Sequence, residues 1–200
     1  MHRRTLIVAL AVLPAVPARA QAETRRVRGT VEKVDGPKLS VKTRDGEDLV
    51  VVAPMGVPFV AVVPATLADL KPGTFVGSGA MPQPDGSLVA LEVHIFPEAM
   101  RGTGEGHRPW DGAAQATMTN ANIDTAVSAV DGSTLTLKYK DGEKKLKVTP
   151  QTAIVTYATG DRAEVRPGTK LFVTSAVRQP DGTWQATRVA YGRDGLTPPM

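Results

Sequence analysis

The residue types that do chemistry gather in one stretch without an evident period: Met100, Arg101, Gly104, Glu105, His107, Arg108, Trp110 and Asp111, with His94 shortly before it. Gly102, Gly104 and Gly106 could turn successive backbone N–H groups toward an anion, with Arg101, His107 and Arg108 adding charge. The spacing departs from a dinucleotide fingerprint, which wants its third glycine three residues after the second and a helix directly behind, whereas His107 and Pro109 stand there. Trp110 offers a face for stacking a ligand or an apolar plug for burial.

A metal is the alternative chemistry. The chain has no cysteine and three histidines, one of them His2. A closed Cys/His zinc site is therefore excluded. What remains is a copper or zinc site drawn from His94, His107 and Met100, with Met118 as a further thioether, because soft sulfur suits Cu(I). The position 96 residues after His94 is Ala190, so the fold does not need a histidine there. Catalysis finds no support: HExxH and GxSxG are absent, there is no cysteine nucleophile, and acid pairs such as Glu98/Glu105 or Asp45/Asp48 follow no pattern. The reading is not an enzyme, and no cofactor is expected beyond that copper or zinc alternative.

The elements that must position these residues come from a repeat. Val34-Asp35-Gly36 recurs as Val130-Asp131-Gly132, Asp45-Gly46 as Asp141-Gly142, Pro72-Gly73-Thr74 as Pro167-Gly168-Thr169, and Gln83-Pro84-Asp85-Gly86 as Gln179-Pro180-Asp181-Gly182. The offsets are 96, 96, 95 and 96 residues, which indicates duplication. Leu39, Val41 and Thr43 alternate with polar residues, as do Leu135, Leu137 and Tyr139, giving the period of half-buried strands. The Asp-Gly pairs behind them predict hairpin turns. Each copy offers five strands, 26–34, 38–44, 47–53, 74–81 and 87–96 in the first, with a short helical turn at Leu67–Gly73. The expected fold is all-β: two small five-stranded barrels of the oligonucleotide/oligosaccharide-binding type in tandem, each with a short helical turn, joined by an irregular Gly-rich connector. The expected boundaries are 1–20 for a signal peptide, 25–97 and 120–192 for the barrels, 98–119 for the connector and 193–200 for a tail.

The leader reading rests on His2-Arg3-Arg4, an apolar stretch from Leu6 to about Val16, and Ala18-Arg19-Ala20, with cleavage after Ala20. It implies export to the periplasm. No segment reaches the ~20 apolar residues of a spanning helix. Loss of Arg3, Arg4 and Arg19 lowers the net charge from +4 to +1. With 4% aromatic residues as well, nucleic acid is disfavoured as a partner.

The run Val31-x-x-Val34-Asp35-Gly36, Leu39-x-Val41, Leu67-Ala68-Asp69-Leu70-Lys71-Pro72-Gly73 and Pro84-Asp85-Gly86-Ser87-Leu88 resembles the bacterial domain of unknown function 5666. The resemblance covers about 26–96 and 122–192, with a departure at Arg162–Pro167, and the connector and the ending Asp194–Met200 resemble a tandem exported subgroup. It implies a barrel-like fold and lends no activity. The functional expectation is a non-catalytic exported binding or scaffold protein with an envelope protein or glycan as partner. The alternative is periplasmic metal handling.

Overall fold

The computed structural model describes residues 22–129 and 132–199. The leader expected over 1–20, the Val130-Asp131 turn and Met200 lie outside the described residues. The first repeat contributes β1 (Thr24–Asp35), β2 (Lys38–Thr43), β3 (Asp48–Val52), β4 (Phe59–Pro64), β5 (Phe75–Pro82) and β6 (Leu88–Ile95). The second contributes β8 (Thr117–Ala129), β9 (Gly132–Tyr139), β10 (Gly142–Val148), β11 (Ala153–Thr159), β12 (Lys170–Arg178), β13 (Trp184–Ala186) and β14 (Val189–Gly192). Between them stands β7 (Gly106–Pro109), inside the segment expected to be irregular. The expected helical turns are single 3-10 turns at Leu67–Asp69 and Arg162–Glu164. In the first, Thr66 and Asp69 form a capping box that satisfies backbone groups a short turn leaves open.

The pairings close a five-strand barrel in the order β1-β2-β3-β13-β12 and back to β1, with β3 and β13 parallel and all other contacts antiparallel. A second ring runs β8-β9-β10-β6-β5 and back to β8, with β10 and β6 parallel. Each ring therefore takes its first three strands from one repeat and its last strands from the other. The cores agree: Val27, Val31, Leu39, Val41 and Val51 pack with Leu171, Val173, Trp184 and Tyr191, while Val76, Leu88 and Val93 pack with Ile123, Leu135, Leu137 and Leu146. The division into self-contained barrels at 25–97 and 120–192 is not how the strands pair.

The reason lies in β4 and β11, which were not anticipated. Each carries the chain from one ring to the other, and the two pair antiparallel with Val62 opposite Tyr157. β4 also pairs with β14 and β11 with β6, both parallel, so the rings share one continuous sheet. Because the repeats are alike, the second half of either can complete the barrel begun by the other, the condition under which identical elements exchange.

The register also corrects one turn correspondence. β1 bulges at Glu32, between Val31 and Lys33, and β8 at Asp124, between Ile123 and Thr125, 92 residues later. Gly168 N donates to Val31 O and Gly73 N to Ile123 O, which fixes the equivalence. Leu39 and Leu135 remain 96 apart, so the second hairpin is longer by four residues than the matching Val-Asp-Gly motifs suggest.

Candidate functional site

Rows of side chains across the second ring sort the candidate residues by face. In sheet order, His107, Thr119, Ser78 and Val93 stand opposite one another; so do Gly106, Asn120, Gly77 and His94; so do Arg108, Met118, Gly79 and Glu92. Val93 belongs to the barrel core. The His107 row therefore faces inward and the rows holding His94 and Glu92 face outward, since neighbours along a strand point to opposite sides. His107 Nδ1 lies 2.8 Å from Thr119 Oγ1, on that inner side. His94 and His107 stand on opposite faces of the sheet and do not form the metal site expected of them. Met100 Sδ lies 3.7 Å from Arg188 Nη1. Among the described residues, no group of three or more His, Asp or Glu side chains is arranged to hold an ion.

His94 has a different neighbour, Glu92. β6 carries an extra residue, Leu91, between the register of Ala80 with Ala90 and that of Gly79 with Glu92. This bulge turns Glu92 and His94 outward from the barrel after Leu88 and Ala90 have faced in. They are nevertheless 1% and 3% exposed, because the face they occupy is covered in the seam between the rings. Val62, Val155, Phe172 and Ala190 form the apolar cluster of that seam. Phe96 and Tyr157 ring centroids lie 6.4 and 6.3 Å from that of His94. Glu92 Oε2 and His94 Nε2 are 3.6 Å apart, and neither has a hydrogen-bond partner among the described residues.

Burial pushes the Glu92 carboxyl up to about 8, against the pull of Arg28 and Arg44, and pushes the His94 imidazole down to about 3. The contact therefore joins a protonated acid to a neutral imidazole near neutral pH, not an ion pair. Burial and the Glu92 charge raise the Tyr157 phenol to about 12. Glu92 was missed in the sequence because it sits in an apolar run, Leu88–Ile95. Its i, i+2 spacing from His94 was the available signal.

The connector residues are largely committed to one another. Arg101 donates to Glu98 Oε1 and Oε2 at 2.6 and 2.7 Å and to Gly73 O at 3.0 Å, and it contacts Asn122 Oδ1. Arg108 donates to Gly104 O at 2.7 Å, and Glu105 Oε1 accepts from Lys140 N at 3.0 Å. Thr103 N and Glu105 N donate to Met100 O and Gly102 O. The glycine run therefore builds consecutive turns, and these two N–H groups do not converge on an anion. Trp110 lies on β5, where a Cβ on Gly79 would stand 2.5 Å from its ring. The missing side chain at Gly79 leaves room for that ring.

Asp111 reaches the first ring. Its carboxylate pairs with Arg26 and Arg28 at 2.9 Å each. Burial opposes its ionisation, but the hydrogen bonds from Arg28 and Arg26 hold it down at about 2. Arg28 also lies over the Phe172 ring, 4.9 Å from its centroid, and so links this cluster to the seam. Beside it is a hollow of about 530 Å³ lined by Arg25, Arg26, Arg28, Asp45 and Asp111, adjoining a smaller one that adds Thr43 and Arg44. Arg25, Arg26 and Arg28 were not among the sequence candidates. Their alternation with Val27 reads as an ordinary strand. No helix of the described residues is long and apolar enough to cross a membrane.

Comparison of the chain with family models, curated proteins and solved structures finds no match.

Proposed function

We propose that the chain is a non-catalytic two-barrel binding module, exported through its N-terminal leader, that takes an anionic ligand in the arginine-lined hollow beside β1. The carrying observation is the convergence of Arg25, Arg26 and Arg28 on one open groove where the carboxylate of Asp111 is already held. Guanidinium groups present planar pairs of donors that match carboxylate, phosphate or sulfate. The ring order first, second, third, fifth, fourth, with the third and fifth strands parallel, suits an oligonucleotide/oligosaccharide-binding barrel. An acidic surface of an envelope protein or an anionic glycan fits this reading better than nucleic acid, given the net charge of +1 after loss of the leader.

The test is fluorescence anisotropy of labelled polyglutamate and of a sulfated oligosaccharide, with polylysine as control, against the wild type and Arg26→Glu. Arg26 has a side chain 48% exposed, so the substitution leaves the core intact. Binding of either anion above the polylysine signal, weakened at least tenfold by Arg26→Glu, is the expected result. Absence of binding by both anions overturns it.

The metal alternative keeps one structural observation, the unpartnered Glu92–His94 pair. The donor set His94, His107 and Met100 does not support it.

A further inference from the structure

The arginine-lined hollow beside β1 has a counterpart on the other ring. The first adjoins the hairpin between β2 and β3 and includes Asp45. The second, of about 440 Å³, adjoins the hairpin between β9 and β10 and includes Asp141, which opens the matching Asp-Gly turn. Its lining is completed by Glu105, His107, Arg108, Tyr139 and Lys144 around Gly106. The two hollows are neighbours. Arg108 lines one and Asp111 the other, and three residues of extended chain reach no more than ~11 Å. Arg108 stands in the outward row with Met118 and Gly79, the side on which Trp110 covers Gly79. Burial, and after it the charge of Arg26, holds the Arg108 guanidinium below its ordinary value, as expected of two cations that face each other from adjoining hollows.

We propose that one linear acidic oligosaccharide, with carboxylate or sulfate groups separated by neutral hydroxyl-bearing sugars, spans both hollows and crosses between them at Arg108. This rests on the anionic-groove reading above and gives its ligand a class and a minimum length. Two weak sites engaged by one ligand bind it far more tightly than either does alone, provided that the ligand is long enough to reach both.

The lining favours a glycan over an acidic peptide. Each hollow mixes cations with a turn carboxylate, Asp45 in the first and Asp141 in the second. These carboxylates repel a chain charged at every residue and accept hydrogen bonds from sugar hydroxyls. Arg26 in the first hollow, and Arg108 and Lys144 in the second, meet the acidic groups. Thr43 and Ser175 beside the first and the Tyr139 phenol beside the second add hydroxyls that donate and accept. Asp111 holds the place of a ligand acid by pairing with Arg26 and Arg28 at 2.9 Å each, so the ligand competes with it. Glu105 is engaged at the backbone of Lys140. Glu105, His107 and Asp141 share the second hollow, but they are not arranged to hold a metal ion. Burial, then the charges of Lys144 and Arg108, lower the His107 imidazole, and its Nδ1 faces Thr119 Oγ1 at 2.8 Å. It serves as a reporter of what enters beside it.

The experiment uses the whole chain and hyaluronan fragments of two, four and eight sugars, in which a uronate alternates with a neutral sugar. A neutral chitin fragment of eight sugars and polyglutamate serve as comparisons. Affinity is expected to rise at least tenfold from two sugars to eight, and Arg26→Glu and Lys144→Glu should each remove that gain. The imidazole resonances of His107 should shift with the eight-sugar fragment. Thermal unfolding checks that both variants are folded, and the length series on the wild type needs neither. Equal affinity for two and eight sugars, or an eight-sugar affinity unchanged by Lys144→Glu, overturns the two-hollow ligand while leaving the anionic groove standing. So does binding of polyglutamate as tightly as the eight-sugar fragment. Binding of the neutral fragment as tightly as the acidic one, or failure of every anionic probe, overturns both.

Discussion

Replacing Glu92 with glutamine should change how the stability of the fold depends on pH. Glu92 ordinarily titrates at 4.5 and is raised to about 8 by burial in the seam. The folded chain therefore keeps a proton that the unfolded chain releases between those values. An acid raised in this way contributes stability that is complete below pH 4.5 and is lost as pH climbs to about 8. At 1.36 kcal/mol per pH unit, that interval corresponds to a loss of about 5 kcal/mol. His94 acts in the opposite sense. Lowered from 6.5 to about 3, it holds fewer protons folded than unfolded. Its contribution is present above pH 6.5 and is lost as pH falls toward 3. Between pH 4.5 and 6.5 the two slopes cancel, which predicts a plateau of maximal stability there. From pH 6.5 to 8, Glu92 alone removes about 2 kcal/mol. Glutamine keeps the shape and cannot ionise, so Glu92→Gln should lose the plateau: its stability should rise with pH to about 6.5 on the His94 slope alone and then stay level through pH 8. The assay is urea unfolding, followed by tryptophan fluorescence, of wild type and variant at half-unit steps from pH 4.5 to 9. Parallel curves for the two proteins over pH 6.5–8 would refute the placement of a protonated Glu92 in a water-excluded seam.

Two further outcomes follow from the same geometry. Gly79→Ala should destabilise by about 1–3 kcal/mol, the usual cost of overpacking, because its Cβ would lie 2.5 Å from the Trp110 ring; the double change with Trp110→Ala should recover part of that loss in thermal unfolding. In equilibrium dialysis against copper and zinc, any bound metal should be unaffected by His107→Ala, since His107 faces Thr119 on the inner side of β8. Reduced stoichiometry in that variant would contradict the assignment of faces.

Much of the fold was legible because hairpin turns are local chemistry. Gly36, Gly46, Gly86 and Gly182 have positive φ, and the alternation of Leu39, Val41 and Thr43 sets a strand face without tertiary help. Which copy of a strand closes which barrel was not legible, since near-identical repeats present near-identical edges. β4 was hidden because Phe59–Val63 lies between Pro58 and Pro64, and its partners are ninety or more residues distant. β7 shows no period because it joins an existing edge of β8 through four residues. At the site, His94 was noticed through its lone occurrence in an apolar run. Their i, i+2 spacing puts Glu92 and His94 on one face, but the bulge at Leu91, which turns that face outward from the barrel and into the seam, is not legible in the sequence. The arginines of β1 were passed over because charge at alternate strand positions is common, and only the position of Asp111, 83 residues beyond Arg28, gathers them.

The seam and the groove beside it both require that β1 pair with β12 of the other repeat and not with β5 of its own. The chain has no cysteine, so paired substitutions report pairing without background. Thr30 stands opposite Lys170; the counterpart of Lys170 in the first repeat is Phe75, 95 residues earlier, so in self-contained barrels Thr30 would lie beside Phe75 and its neighbour Thr74. With a protease site placed in the connector between Gly102 and Gly106, Thr30→Cys/Lys170→Cys should oxidise to a disulfide that keeps the two halves together on a denaturing gel after cleavage. Thr30→Cys/Thr74→Cys should remain reduced. The reverse outcome, a disulfide in the second pair and separated halves in the first, would contradict the exchanged architecture.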